Sequence, residues 1–432
     1  MNSLGTAEKR VLGILFLVLV LDLLAFTCIL PLFPSLMDFY ASKSQDEWLY
    51  SYFHSVLTNF RRLIGAPNEP KMNSVLFGGL LGSMFSLLQF FSSPLFGALS
   101  DVYGRKSIML FTVCGSLCSY VLWAISGSFG LFLVSRLIGG LSKASVSVAT
   151  ALITDVCGIK QRGKGMAVIG VSFSVGFLVG PMIGAYFARQ ARLDQSNEFF
   201  YSPPAYFAIA VTLLEIICIC ALLPETLPAE ARKTKLTEIS GSVTQYVMPK
   251  SLFNFKLVDG ALIEERLEFT LSFFTHLRFH YNSMQQGRMY FFAGLLMILV
   301  QGGYVRRISS KNQCAAALKG MACIVPAFII VGLANNHLLL YSGLAFYALA
   351  SGIVVPCLTT VVSSYAPDSQ KGAVLGVFRS LGALARAFGP VFASAVFWCI
   401  GPTACYIAGG LALFLPYILL HRVTAQMHKS VG

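Results

Sequence analysis

Charged side chains are scarce in this chain: Asp, Glu, Lys and Arg make up 12% of its 432 residues, about half the share of an ordinary soluble domain. So little charge cannot clothe a soluble globular enzyme, and an apolar fraction of 56% excludes a disordered chain. The chain also lacks an N-x-[ST] glycosylation acceptor, a G-x-x-x-x-G-K-[ST] phosphate loop, a CxxC pair and a His-Glu zinc motif. Without the phosphate loop it is not an ATP-driven pump on its own, and without the zinc motif an intramembrane hydrolase is not supported. The 11 cysteines lie mostly inside apolar runs, as at Cys28, Cys114, Cys218 and Cys357, where thiols act as small apolar groups. No disulfide framework, metal site or cofactor is expected. Acids are fewer than bases, giving a net charge of +13. In a membrane protein that excess marks cytoplasmic loops rather than a nucleic-acid partner.

What is present is apolar sequence in long runs, enough for about a dozen bilayer-spanning helices of about 20 residues each. The first runs from about Val11 to Met37, too long for a signal-peptide core and followed by no small-residue cleavage site. Further spans are predicted near 73–98, 107–126, 129–153, 163–189 and 204–223, then 283–304, 314–334, 338–362, 371–398 and 402–421. Basic clusters at Lys9–Arg10, Arg105–Lys106, Lys160–Lys164, Arg232–Lys235, Arg306–Lys311 and Arg422–Lys429 fall on one side if both termini are cytoplasmic. The polar stretch 224–263 then reads as a cytoplasmic linker between an N-terminal half, 1–223, and a C-terminal half, 264–432. A parallel repeat supports the division. Lys164-Gly-Met-Ala-Val-Ile-Gly170 ahead of Gly180-Pro181 is echoed by Lys371-Gly-Ala-Val-Leu-Gly376 ahead of Gly389-Pro390. The expected fold is an all-α polytopic membrane protein of two six-helix halves.

The seventh span is defective. In SLFNFKLVDGALIEERLEFTLSFFTHLRFHYN, residues 251–282, the only sustained apolar segment is Leu267 to Leu277, and it contains Glu268. A helix of that length rises about 16 Å, roughly half the hydrocarbon core. Extending it backward sets Glu264, Glu265 and Arg266 against lipid, which is costly. Parity of the basic loops still demands a crossing. Either a broken helix is sheltered by its neighbours, or the chain lacks residues that its relatives possess; the second is favoured.

Three motifs carry a resemblance. Gly97-Ala98-Leu99-Ser100-Asp101-Val102-Tyr103-Gly104-Arg105-Lys106, after the second span, resembles the G-x-L-x-D-x-x-G-R-[RK] signature of the major facilitator superfamily. Its glycines permit a tight turn, and Asp101 and Arg105 can make charge-assisted contacts that hold one state of a rocking transporter. Gly176-Phe-Leu-Val-Gly180-Pro181-Met-Ile-Gly184-Ala185 in the fifth span resembles the antiporter motif of the family's drug/proton branch. Gly176, Gly180 and Gly184 recur every fourth residue and offer a groove for a close helix, and Pro181 allows a bend. Asp22 with Pro31 and Pro34 in the first span, and Arg136-Leu-Ile-Gly139-Gly140 in the fourth, resemble the acid and the proton-relay motif of that branch. The resemblance extends from first span to last through NSVLFGGLLGS, SRLIGGLSKASVS and RSLGALARAFGP, toward vertebrate tetracycline-transporter-like members associated with organic-anion and drug efflux. It implies proton-coupled export by alternating access, with Asp22 as the proton site and Arg136 as its partner. The gating motif implies a conformational role, not substrate contact.

The intramembrane cations suggest the sign of the substrate. Arg136 and Lys143, and likewise Arg379 and Arg386, are seven residues apart and so share a helix face in a continuous helix. Cations on both walls of a central cleft attract an organic anion, and Lys143, Arg379 and Arg386 are the predicted substrate contacts. Phe26, Phe173, Phe177, Phe378 and Phe388 are candidate apolar walls. The expected partners are a small organic anion, protons and the lipid bilayer, around a monomer in the plasma membrane or an organelle membrane. Two alternatives remain: a lipid or lysolipid transporter on the same fold, and a truncated isoform that does not transport.

Overall fold

The structure, a computed structural model, describes residues 5–32, 36, 39–40, 43, 47–158, 161–193, 202–228, 230, 232, 270–271, 273–281, 283–309, 312–365 and 371–431. Most of the predicted linker 224–263, and all of 251–269 with Glu264, Glu265, Arg266 and Glu268, lie outside the described residues. Every described regular element is a helix, as expected where lipid offers the backbone no hydrogen bonds. Among the described residues eleven helical spans are long and apolar enough to cross a membrane, the fourth made of two helices and the last of two, matching the eleven complete spans read from the sequence.

The N-terminal half contains α1 (Thr6–Thr27), α2 (Trp48–Leu63), α3 (Pro70–Tyr103), α4 (Arg105–Ala124), α5 (Phe129–Ser142), α6 (Ser145–Val156), α7 (Arg162–Leu193) and α8 (Ser202–Leu222). The C-terminal half contains α9 (Ser283–Leu299), α10 (Gln313–Leu333), α11 (His337–Tyr365), α12 (Lys371–Ile400), α13 (Pro402–Ala412) and α14 (Phe414–Val431). The halves meet along two seams, α3 against α12 and α7 against α9 and α11. Gly376 makes the first seam close, since a Cβ there would lie 2.6 Å from the Ser93 carbonyl and 2.9 Å from Pro94 Cα. On the second, Ser174 of α7 donates to Gln301 Oε1 at 3.0 Å, where a π turn over Val300–Tyr304 extends α9.

Two expectations are corrected. The first span does not continue to Met37: α1 ends at Thr27 and Pro31 sits in a short 3-10 turn, Leu30–Leu32, because proline cannot donate into a helical ladder. The fourth span is not one helix: it breaks between Ser142 and Ser145. Of the defective seventh segment, residues 273–279 are helical. Phe273 and Phe274 are buried against Phe397 and Tyr406, and Arg278 donates to the Gly332 carbonyl at 2.8 Å and to Asn335 at 2.6 Å. This end of the segment is therefore docked onto α10 and α13.

Candidate functional site

The site is built around the break in the fourth span. Lys143 (φ −79°, ψ 61°) closes α5 and Ser145 opens α6. A break inside an apolar bundle frees backbone groups that need partners. Gln89 of α3 supplies one, its side-chain amide donating to the Lys143 carbonyl at 2.9 Å. Asp22 of α1 faces the break, 2% exposed. Lys143 Nζ forms a salt bridge with Asp22 Oδ1, and Ser145 Oγ donates to Oδ2 at 2.6 Å. The ammonium also lies 4.9 Å from the Phe26 ring centroid, and Phe26 packs on Phe85.

The partner predicted for Asp22 was Arg136, and the structure replaces it with Lys143. The backbone is not helical at Lys143 and Ala144, so the seven-residue spacing of Arg136 and Lys143 does not set a shared face. The Arg136 guanidinium instead sits 5.4 Å from the Trp123 ring and 5.6 Å from the Phe132 ring, donating to Ser135 at 3.3 Å and Ser119 at 3.4 Å. Among the described residues it has no carboxylate partner. A small cavity between Arg136 and Lys143 is lined by Phe26, Phe85, Ser119, Tyr120 and Gly139.

The second cationic pair comes in from α12. Arg386 Nη2 donates to Gln89 Oε1 at 3.2 Å, so one glutamine links the C-terminal half to the backbone of the break. Arg379 lies 5.7 Å from the Phe173 ring. Lys143, Arg386 and Gln89 are thus joined, whereas Arg136 and Arg379 rest on aromatic faces. Of the candidate aromatic walls, Phe26 and Phe173 lie under cations, while Phe177 and Phe388 are about half exposed, at 47% and 45%.

The antiporter motif forms the contact of α7 with α1. A Cβ on Gly176 would overlap Leu23, and one on Gly180 would overlap Thr27. Thr27 Oγ1 donates to the Gly176 carbonyl at 2.9 Å. Gly184 is buried at the same register, and Pro181 lies inside the continuous α7. Gly176 and Gly180 thus seat α7 against the helix that carries Asp22.

The gating motif occupies one end of the bundle. Ser100 donates to the Gly97 carbonyl at 2.7 Å. Gly104 has φ +96°, and a side chain there would also strike Glu225. Glu225 accepts from the Arg105 and Lys106 backbone N–H groups at 2.9 and 3.2 Å, neutralising the start of α4. Arg105, fully buried, bonds Asp101 at 2.6 Å and Asp155 of α6 at 2.8 Å; Lys106 Nζ reaches the Cys220 carbonyl at 2.9 Å. Lys371, the first residue of α12, meets Asp155 at 3.5 Å and the Thr154 carbonyl at 3.3 Å. Arg162, the first residue of α7, donates to the Ser363 carbonyl of α11 at 2.8 Å. The start of the fifth span of each half thus binds the end of the fourth span of the other.

Sequence reasoning missed Gln89, Ser145, Asp155 and Glu225. Gln89 and Asp155 carry a signal, a polar side chain within or at the end of an apolar run; Ser145 carries none.

Comparison with known proteins fits this geometry. The model of the Major Facilitator Superfamily matches residues 15–390. The chain is 41% identical to major facilitator superfamily domain-containing protein 10 of Mus musculus, over 98% of this chain and 95% of that one. It is 26% identical to the class B tetracycline resistance protein of Escherichia coli, over 74% of this chain and 78% of that one. The crystal structure of the human organic anion transporter MFSD10 (TETRAN) superposes with a TM-score of 0.88 at 40% identity, covering 96% of this chain and 100% of that one. The chain therefore belongs to the major facilitator superfamily, and is a membrane transporter and not an enzyme.

Proposed function

We propose that this transporter exports amphipathic organic anions and drugs in exchange for protons, by alternating access of two halves, 1–223 and 264–432, joined by the cytoplasmic linker 224–263. The observation that carries the reading is the buried Asp22–Lys143 pair at a helix break, tied through Gln89 to Arg386 of the other half. Discontinuous helices near the midplane are where secondary transporters hold substrate and coupling ions. Protonation of Asp22 and binding of an anion both act on the Lys143 ammonium, so this one pair links proton movement to anion movement. Lys143 and Arg386 contact the substrate, and Arg379 contributes positive potential from beside Phe173. Arg136 acts as a fixed cation above the cavity rather than as the partner of Asp22. Two of the relatives, a human organic anion transporter and a tetracycline resistance protein, support the substrate class by their names. The Asp101–Arg105–Asp155–Lys371 chain is the gate at the cytoplasmic face. The transporter works as a monomer, with both termini cytoplasmic, in the plasma membrane or an organelle membrane.

Uptake of a labelled organic anion into proteoliposomes, with and without an imposed pH gradient, tests the proposal. The wild type is expected to accumulate the anion on a gradient, and Asp22→Asn to lose the response to pH while remaining folded. An unchanged pH dependence in Asp22→Asn would overturn the assignment.

A further inference from the structure

The function just proposed uses one buried carboxylate, yet the same layer of the bundle holds a second. Glu215 lies on α8, which packs against α1, α4 and α7. It is 1% exposed, and neither carboxylate oxygen has a hydrogen-bond partner among the described residues. It lies within electrostatic reach of Asp22 and Lys143. The other titratable groups that act on it or feel it are Tyr120 of α4 and Cys218 on its own helix. The third neighbour, α7, has no titratable side chain between Gly165 and Ala185. The one ammonium nearby, Lys143, is already bound to Asp22. An ionised carboxylate with neither a hydrogen bond nor a counterion is not tolerated in so dry a place, so Glu215 is a neutral acid in this arrangement.

We propose that Glu215 is a second proton-binding carboxyl of the transport site, sharing the Lys143 ammonium with Asp22. The inference rests on the reading of Asp22 as the coupling carboxyl and adds an acceptor to it. Two carboxyls and one ammonium are jointly neutral when they hold one carboxyl proton. The unpartnered oxygens of Glu215 and the ion pair of Asp22 with Lys143 assign that proton to Glu215. A proton arriving at an Asp22 oxygen breaks the ion pair with Lys143. Glu215 then releases its proton to solvent and becomes the counterion of the ammonium. One proton is bound, one is released, and the charge of the cluster is unchanged.

Infrared difference spectroscopy on the full chain reads this directly. The carbonyl stretch of a buried neutral carboxylic acid is expected near neutral pH in wild type; it is expected to be lost in Glu215→Gln, and also in Asp22→Asn, where Glu215 becomes the counterion of Lys143. The amide keeps the size and neutrality of the acid, so the variant should fold. Should it not, Glu215→Asp keeps the acid and is expected to shift the band. In proteoliposomes Glu215→Gln is expected to lose gradient-driven accumulation of the labelled anion. A band that persists in Glu215→Gln, or does not move in Glu215→Asp, overturns the inference, as does a wild-type pH profile in Glu215→Gln. An unchanged pH dependence in Asp22→Asn counts against the coupling carboxyl instead, and leaves the band to report on Glu215.

Discussion

Replacing Lys371 by methionine removes a polar contact that joins the halves at the end of the bundle that holds the gating motif. The side chain is 9% exposed, its ammonium 3.5 Å from Asp155 and 3.3 Å from the Thr154 carbonyl. At an effective dielectric constant of about 20, unit charges at that spacing attract by about 5 kcal/mol before desolvation is subtracted. Asp155 keeps its bond to Arg105 at 2.8 Å, so the substitution does not strand a bare carboxylate. The net loss is then that of a hydrogen bond to a charged group, about 2 kcal/mol, or roughly thirtyfold in an equilibrium constant. A state with this end open that is populated about one part in a hundred would rise to about one in four.

Spin labels at the exposed Tyr103 and Arg422, at the ends of spans in opposite halves, read the populations by electron–electron double resonance. Lys371→Met should add a long-distance component, and Arg162→Met, which removes the single bond to Ser363 at 2.8 Å, should shift the balance the same way by less. Asp155→Asn combined with Lys371→Met should shift it by less than the two changes summed. Distance distributions identical to wild type in folded Lys371→Met would refute the latch.

Two further changes probe the site's scaffold. Gly180→Ala places a methyl on Thr27 and Leu24 and should cost about 1–3 kcal/mol, read as a lower Tm in detergent. Gly82→Ala, with nothing within 4 Å of the added carbon, is the control and should be neutral or slightly stabilising; equal Tm losses would refute the close-packing argument. Lys143→Met leaves Asp22 buried without its counterion and should destabilise by about 3–5 kcal/mol. Adding Asp22→Asn should recover most of that loss in the same melt, and a double variant no more stable than Lys143→Met would show that the pair is not what holds the break.

The legible parts of the sequence were those set by length and by size. Span count follows from apolar run length, and the eleven runs correspond to eleven candidate spans among the described residues. The α1–α7 contact was readable because three glycines at every fourth residue make a groove on any helix, whatever lies in it. Asp22 was conspicuous because a lone acid in a membrane helix is costly. Its partner was not. The seven-residue spacing of Arg136 and Lys143 implies a shared face only in a continuous helix, and no proline marks the break at Lys143. What stabilises the break is Gln89, 54 residues away in the chain, and a contact at such separation leaves no local pattern.

The repeat shows how far a sequence signal can carry a functional argument. Alignment of the segments at Lys164 and Lys371 implies that the fifth spans of both halves sit alike. The structure adds that each begins on the end of the other half's fourth span, Arg162 on Ser363 and Lys371 on Thr154. The two contacts match in position and differ in chemistry. Arg162 meets a backbone carbonyl, whereas Lys371 also meets Asp155, which is bound to Arg105 of the gating motif. Charge at the gate is therefore concentrated on one side of a two-fold arrangement. That side is where the signature is intact, while the second half keeps only Gly303-Tyr304-Val305-Arg306-Arg307. A signature intact in one half only fits the proposed gate with one electrostatic lock, its counterpart being a single hydrogen bond from Arg162 to Ser363.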